Sequence, residues 1–395
     1  MKAAITRARL RLAAELAGPL ALVGLVALVG ANLSVAQQSN AVSVLVDATI
    51  VVGLYVFIGN SGVMSFGQIS FVAVGAFAAG IYTSPPGLRR TTMPTLYGFL
   101  SAARLTNIES LLLAAAVGGL FALLVGLALM RLSGLAAAIA TFAVLEITYN
   151  LLYFWDKIGP GATTLSNVPV TTGIGQGAIG CAVAVIVAFA YQRTRSCRQL
   201  RASRADPLAA RGVGVSIFRH RLVAFVISGA VCGFAGGLFV HSLGSINASQ
   251  VYLDLTFFTL AMLVVGGAQS LWGATLGGTL LGVLYAFLVN AESGTTVLGL
   301  HFTLPNGLST ILFGLLLAGA LILAPSGLAR GREFLAVTLR ERTPVAPRTP
   351  ADEGALEPQK TAPGRAPEPQ KTAPGRAPEP PGTLAVADGS PEAAG

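Results

Sequence analysis

From Gln192 to Arg221 the chain reads QRTRSCRQLRASRADPLAARGVGVSIFRHR, eight arginines against the single acid Asp206, set between long apolar runs. Carrying so many arginines through a bilayer is costly even on lenient insertion scales, and short basic loops stay on the cytoplasmic side. This loop therefore fixes the orientation of every apolar run before and after it. Pro207 and the pair Gly212 and Gly214 divide its interior into two short helical pieces, because proline starts a helix and glycine ends one. Structure of that kind in a cytoplasmic loop points to something that docks on it.

Of the 395 residues, 53% are hydrophobic and 11% charged. A soluble domain carries about 25% charged residues, so the chain reads as a polytopic membrane protein. The net charge is +9, yet from Arg330 onward nine basic residues meet nine acidic ones, which confines the excess to residues 1–329. Inside-facing loops explain it, and nucleic-acid binding is excluded for want of a basic soluble domain. Cys181, Cys197 and Cys232 show neither paired nor metal-like spacing.

Lys2, Arg7, Arg9 and Arg11 precede an apolar run at about 16–33, a first span with its N-terminus inside, with a cleavable signal near Ser34 to Ala36 as the other reading. Further runs at 41–59, 66–83, 109–130, 134–154 and 176–191 make six crossings and return the chain inside at the arginine loop. Beyond it lie runs at 222–242, 254–290 and 305–324. An even number of crossings requires the long run to be two spans, broken at Gly266 to Ser270, the first of them short. The expected fold is an all-α transmembrane bundle of about ten (8–10) spans over 1–329. The tandem repeat EPQKTAPGRAP at Glu357–Pro367 and Glu368–Pro378 predicts a disordered, cytoplasmic Pro/Ala/Gly-rich tail over 330–395.

Two stretches carry polar chemistry inside the apolar region. Asn60 to Gln68, with Gly62, Ser65 and Gly67, is either small-residue helix packing or a partly unwound segment exposing backbone to a polar solute. Arg131 to Gly134 forms a tight inside turn, followed by Thr141 and the acid Glu146, which sits either at the outer interface or on a solute path. No lysine follows a glycine-rich phosphate loop, and no dense histidine, cysteine or carboxylate cluster suits a metal. His220 reads as a loop residue, His241 and His301 as boundary residues.

In order along the chain, these residues resemble the permease subunits of the ATP-binding cassette importers for branched-chain amino acids. Gly59, Gly62, Ser65, Gly67, Phe71, Gly75 and Ala76 match a Gly-x-x-Gly-x-x-Ser-x-Gly signature, with Phe77 in place of a tyrosine. Arg131, Leu132, Gly134, Thr141 and Glu146 resemble the next motif, and Gly266, Gly267, Ser270, Gly273 and Gly277 a later one. Asp206, Pro207, Ala209, Ala210 and Gly214 resemble the family's coupling loop, here 205–216, and Arg219, Ala224, Phe225, Ser228 and Gly229 continue that pattern. Arg211 stands where many members have glutamate, and Pro325 to Leu328 resemble the usual ending.

The resemblance implies a bacterial inner-membrane transport subunit with no catalytic site and no bound cofactor. ATP and Mg would be held by two cytoplasmic ATPase subunits docked on Asp206, Pro207, Ala209, Ala210, Arg211, Gly214 and Arg219. The further partners implied are a second permease subunit, in a heterodimer, and an external solute-binding protein. The cargo implied is leucine, isoleucine and valine, or a related small amino acid or amide. Polarity nominates Gly62, Ser65, Gly67, Gln68, Thr141 and Glu146 for the translocation path. An ion-coupled transporter using Asp47, Glu146 or Asp254 is the other function class, and a purely structural scaffold the third.

Overall fold

In the computed structural model, residues 2–87, 89, 93–98, 104–292, 295–297, 300–302, 305, 307–323 and 327–329 are described. The expected tail, with its repeat, and Pro325 and Ser326 lie outside these residues.

Local capping signals set the helix ends. Helix α1 (Lys2–Ala31) gives way at Ser34, which with Gln37 forms a capping box for α2 (Val35–Ser61). At its far end α2 stops at Gly62, whose φ of 70° is left-handed and whose N–H reaches the Ile58 carbonyl. A short loop leads into α3 (Gln68–Thr83). Thr106 and Glu109 cap α4 (Asn107–Leu129), and α5 (Gly134–Phe154) and α6 (Ile174–Arg193) follow.

The expected short helical piece between Pro207 and Gly212 forms, preceded by a further helix, and the piece expected after Gly214 is the start of a long helix. Helix α7 (Arg195–Ala205) and the single turn α8 (Pro207–Gly212) are joined at Asp206. The chain then re-enters as α9 (Ile217–Leu243). A 3-10 turn at Ala248–Val251 leads into α10 (Leu253–Gly266), and after the break come α11 (Leu271–Glu292), a hairpin of β1 (Thr295–Val297) and β2 (Leu300–Phe302), and α12 (Leu308–Leu323). The hairpin pairs Thr295 with Phe302 and Val297 with Leu300, a small departure from the all-α expectation.

Helices α2 and α9 form the centre, with α3, α4, α6 and α11 packed around them. Glycine permits the close approach. A Cβ on Gly75 of α3 would overlap the Gly233 backbone of α9, and one on Gly118 of α4 would lie 2.7 Å from the Gly229 carbonyl. Phe225 fills the space below, edge-on to Phe57 and Phe71 at 5.0 and 5.2 Å. Leu112 and Leu124 of α4 and Leu135, Ile139 and Ile147 of α5 point outward as an apolar surface, as a bilayer demands.

Seven helical segments among the described residues are long and apolar enough to cross a membrane, fewer than the ten expected. The difference lies in length. Helices α3 and α12 have 16 residues each and the apolar part of α1, Glu15–Ala31, has 17. At 1.5 Å per residue such lengths give roughly 25 Å, short of a hydrocarbon core of about 30 Å. Helix α3 compensates by burial, with 13 of its 16 residues hidden among its neighbours.

The expected break in the long apolar run is present. Gly266 ends α10, Gly267 has a φ of 117°, and Ser270 Oγ accepts the Gly273 N–H at the start of α11. The chain's last described residues close on it, with Leu328 N–H bonded to Val265 O (2.8 Å) and Ala329 N–H to Gly266 O (3.1 Å). The short α10 reaches a crossing length only together with the 3-10 turn before it, as Ala248–Gly266.

Candidate translocation and coupling site

The signature segment 62–67 sits where α2, α3 and α5 meet. Thr141 Oγ1 accepts the Phe66 N–H (3.2 Å) and donates to Ala138 O (2.9 Å), so one hydroxyl holds the loop against α5. Gly67 is required there, because a Cβ would stand 2.7 Å from the Thr141 carbonyl. The ring of Phe66 lies edge-on to Phe142 and Phe257 at 6.3 and 6.2 Å. The structure thus brings the signature loop and Thr141 together across 75 residues of sequence.

Just beyond this tie the polar groups have nothing to bond. Ser65 and Gln68 are each 1% exposed and Ser70 is fully buried. Ser65 Oγ, both amide atoms of Gln68 and Ser70 Oγ have no hydrogen-bond partner among the described residues. Each such atom costs about 1–3 kcal/mol. Three neighbouring residues carry this cost together. Gly67, the residue before α3, offers no side-chain acceptor to the helix's first amides.

Two clefts lie near the ends of α3. At the end bearing the arginine loop, a cleft of about 470 Å³ is lined by Gly62, Met64, Ser133, Ala138, Ser203 and Arg204. At the Thr83 end, one of about 330 Å³ is lined by Arg104, Thr106, Asn107, Thr171 and His241. His241, expected at a boundary, lies in the last turn of α9 and is fully buried. Its Nδ1 donates to Pro169 O at 3.1 Å, and its Nε2 lies 2.9 Å from Ser110 Oγ, which itself donates to Asn107 O at 2.7 Å. The side chain of His301 lies outside the described residues. Burial pushes the guanidinium of Arg89, beside this end, below its usual value.

Glu146 is not part of the Ser65 to Ser70 group. Asn150 Nδ2 donates to its Oε1 (2.8 Å) and Tyr252 O–H to its Oε2, while Tyr149 stacks on Tyr252 at 4.0 Å. These contacts tie the outer half of α5 to the start of α10. Its neighbour Tyr252, 106 residues away, carried no sequence signal.

In the arginine loop, Asp206 is an N-cap whose Oδ1 accepts the Leu208 and Ala209 N–H groups at 2.9 and 3.0 Å. Pro207 occupies the first turn, Ala210 is buried, and Gly214 takes a φ of 82°. Pro207, Ala209, Arg211, Gly214 and Arg219 face solvent. Leu208 and Val213 are exposed to 78% and 81%, an apolar pair presented on a charged loop. His220 is bound to Ser196 Oγ at 2.9 Å through Nδ1. Among the described residues no three His, Cys, Asp or Glu side chains group as metal ligands.

A family model described as the permease component of the branched-chain amino acid transport system matches residues 39–321. The chain is 28% identical over 263 residues to the high-affinity branched-chain amino acid transport system permease protein LivM of Salmonella typhimurium, covering 58% of each. It is 31% identical over 221 residues to the autoinducer 2 import system permease protein LsrC of an Enterobacter species, covering 54% of this chain and 62% of LsrC. With the nucleoside ABC transporter permease protein NupC of Lactococcus lactis it shares 24% identity over 254 residues, 59% of this chain and 76% of NupC. The chain therefore spans less than two thirds of the length of LivM and of LsrC. No solved structure matches it.

Proposed function

We propose, for a chain that belongs to the branched-chain amino acid transport system permease family, that it is the inner-membrane permease subunit of an ATP-driven importer and carries a small polar solute past α3. The observation that carries this reading is the buried set Ser65, Gln68 and Ser70, whose side chains have no partner among the described residues, in the segment that follows the cleft-lining residues Gly62 to Met64. Buried hydroxyls and an amide without partners are groups that a passing polar solute can satisfy. The seven apolar crossings and the outward apolar faces of α4 and α5 support a membrane location.

The chain moves solute and leaves ATP hydrolysis to partners. Two ATPase subunits would dock on the 205–216 loop, where Leu208 and Val213 offer an apolar contact and Arg211 and Arg219 a basic rim. A second permease subunit and an external solute-binding protein complete the machine. Asp206 serves this surface by holding α8 in shape. Gly62, Ser65, Gly67, Gln68 and Thr141 form the path, and Glu146 fixes the outer part of α5 beside it.

The cargo assigned is a branched-chain amino acid or a related small amino acid or amide. The relatives named for branched-chain amino acids, autoinducer 2 and nucleosides make the cargo the part to measure first. The experiment is uptake by proteoliposomes holding the permease pair, ATPases and binding protein, with leucine, isoleucine, valine, alanine, short amides and urea offered in turn. ATP-dependent uptake of a branched-chain amino acid is the expected result. Uptake of another solute with ATP keeps the machine and corrects the cargo, and uptake that follows an ion gradient without ATP overturns the reading.

A further inference from the structure

Helix α7 carries Cys197, Leu200, Arg201 and Arg204 at spacings of three and four, so all four share one face. That face meets the end of α2, where the signature begins. Asn60 is fully buried, and its Oδ1 accepts from Arg201 Nε at 2.8 Å and from Cys197 Sγ at 3.2 Å. The second arm of Arg201 donates from Nη2 to Tyr55 Oη at 3.0 Å, and Gln192 bonds the same phenol. Arg204 Nη1 donates to Gly59 O at 3.2 Å. Its stem lies against Gly62, where a Cβ would come within 2.7 Å of Nε.

No carboxylate takes part in these contacts. Arg204 is held by a carbonyl at the end of α2, the negative pole of its macrodipole, and Arg201 by the Asn60 amide oxygen and the Tyr55 phenol. The contact therefore joins two segments with different tasks. On one side α7 continues through the Asp206 cap into the exposed turn α8. On the other, α2 ends three residues later in the loop that Thr141 holds and that leads to Ser65 and Gln68. Helix α2 is the most buried of the seven crossings, with 83% of its apolar stretch hidden, so its end cannot move far by itself.

We infer that Arg201 and Arg204 are positioning residues: they clasp the end of α2 and transmit displacement of the α8 turn to the Gly62–Gly67 segment. The inference rests on the importer reading above and adds the residues through which ATPase movement reaches the path. Neither arginine touches solute in this role. Arg201 acts through Asn60 and Tyr55, Arg204 through Gly59.

The test uses the complete complex in proteoliposomes and two substitutions away from the path, Asn60→Leu and Arg201→Gln. Asn60→Leu keeps volume but leaves Arg201 Nε and Cys197 Sγ without their acceptor. Three quantities are read: uptake per ATP hydrolysed, ATPase rate, and crosslinking of a cysteine placed at Ala209 to the ATPase. Uptake per ATP should fall ~10-fold in each variant, within the range of ordinary coupling free energies. ATPase rate and crosslinking should persist.

The double variant should be no worse than either single one, since both break the same contact. Arg201→Lys, which keeps the positive charge, should recover part of the loss. Unchanged uptake per ATP in both variants, in a complex whose unmodified form transports with ATP, overturns the clasp and leaves the importer standing. A parallel fall in uptake, ATPase rate and crosslinking also overturns it, because α7 would then be structural only. Absence of ATP-dependent uptake in the unmodified complex removes the importer reading itself.

Discussion

Gln68 gives the sharpest test of why polar groups are kept beside α3. Its side chain is 1% exposed and both amide atoms lack partners among the described residues. Replacing it by leucine removes two unpaired polar atoms and keeps nearly the same volume. Each unpaired atom costs about 1–3 kcal/mol, and imperfect repacking offsets part of the gain, so Gln68→Leu should stabilise the fold by ~1–3 kcal/mol. For a chain of this size that corresponds to a rise in apparent Tm of roughly 1–5 °C. Thermal unfolding of the purified permease in detergent, followed by the loss of its monodisperse elution peak, measures this directly. Uptake in the reconstituted complex should fall at least ~10-fold, as a polar solute would lose two partners worth about 1 kcal/mol each. A variant both more stable and less active would mark a residue held for transport at the expense of stability. A lowered Tm would show that the amide is bonded in the native protein, and unchanged uptake would remove Gln68 from the path.

Gly75→Ala should abolish folding or lower Tm sharply, because its Cβ would overlap the Gly233 backbone; normal expression and Tm would contradict the α3–α9 contact. Thr141→Val conserves shape but strips the Phe66 N–H of its acceptor, so a loss of ~1–3 kcal/mol and weaker uptake are expected in the same two assays. Asp206→Ala should leave Tm nearly unchanged while crosslinking at Ala209 drops, since the lost cap, about 0.5–2 kcal/mol, belongs to an exposed single turn. Burial raises the Cys197 thiol above its ordinary value, against the smaller opposing effect of Arg201. A raised pKa means less thiolate at mildly alkaline pH, so its maleimide reaction should be slower than that of a free thiol and keep rising beyond pH of about 8.5, where a free thiol is half ionised; an early plateau would refute this.

The helices most legible in the sequence were those bounded by chemistry that acts locally. The short helix α8 of the arginine loop follows from Pro207 and Gly212, and the end of α2 from Gly62, whose left-handed φ glycine adopts without strain. Gly267 marks the α10–α11 break for the same reason. The sequence nominated Gly62, Ser65, Gly67 and Gln68 together with the distant Thr141, and the Phe66–Thr141 bond makes the loop and Thr141 neighbours in space. Glu146 could be read only as a costly acid. Its partners are Asn150 and Tyr252, the latter an ordinary aromatic residue that no spacing rule selects. The expectation of about ten spans counted short apolar runs as crossings, and α3, whose 16 residues are mostly buried in protein, shows why that overcounts.

What the sequence determined by itself was the order and polarity of the apolar runs, the loop that turns them back, and the points where backbone geometry forces a break. Hydropathy, charge and glycine act within a few residues, so they can be read in line. What the tertiary structure decided was which helices are hidden and which side chains meet: α2 and α9 at the centre, Gly75 and Gly118 against α9, and Arg201 on Asn60 across 141 residues. The physical reason lies in the solvent. A helix surrounded by lipid is apolar on every side, so no amphipathic stripe distinguishes the face that packs from the face that meets lipid, and only the fit of small residues and paired polar groups in three dimensions does so.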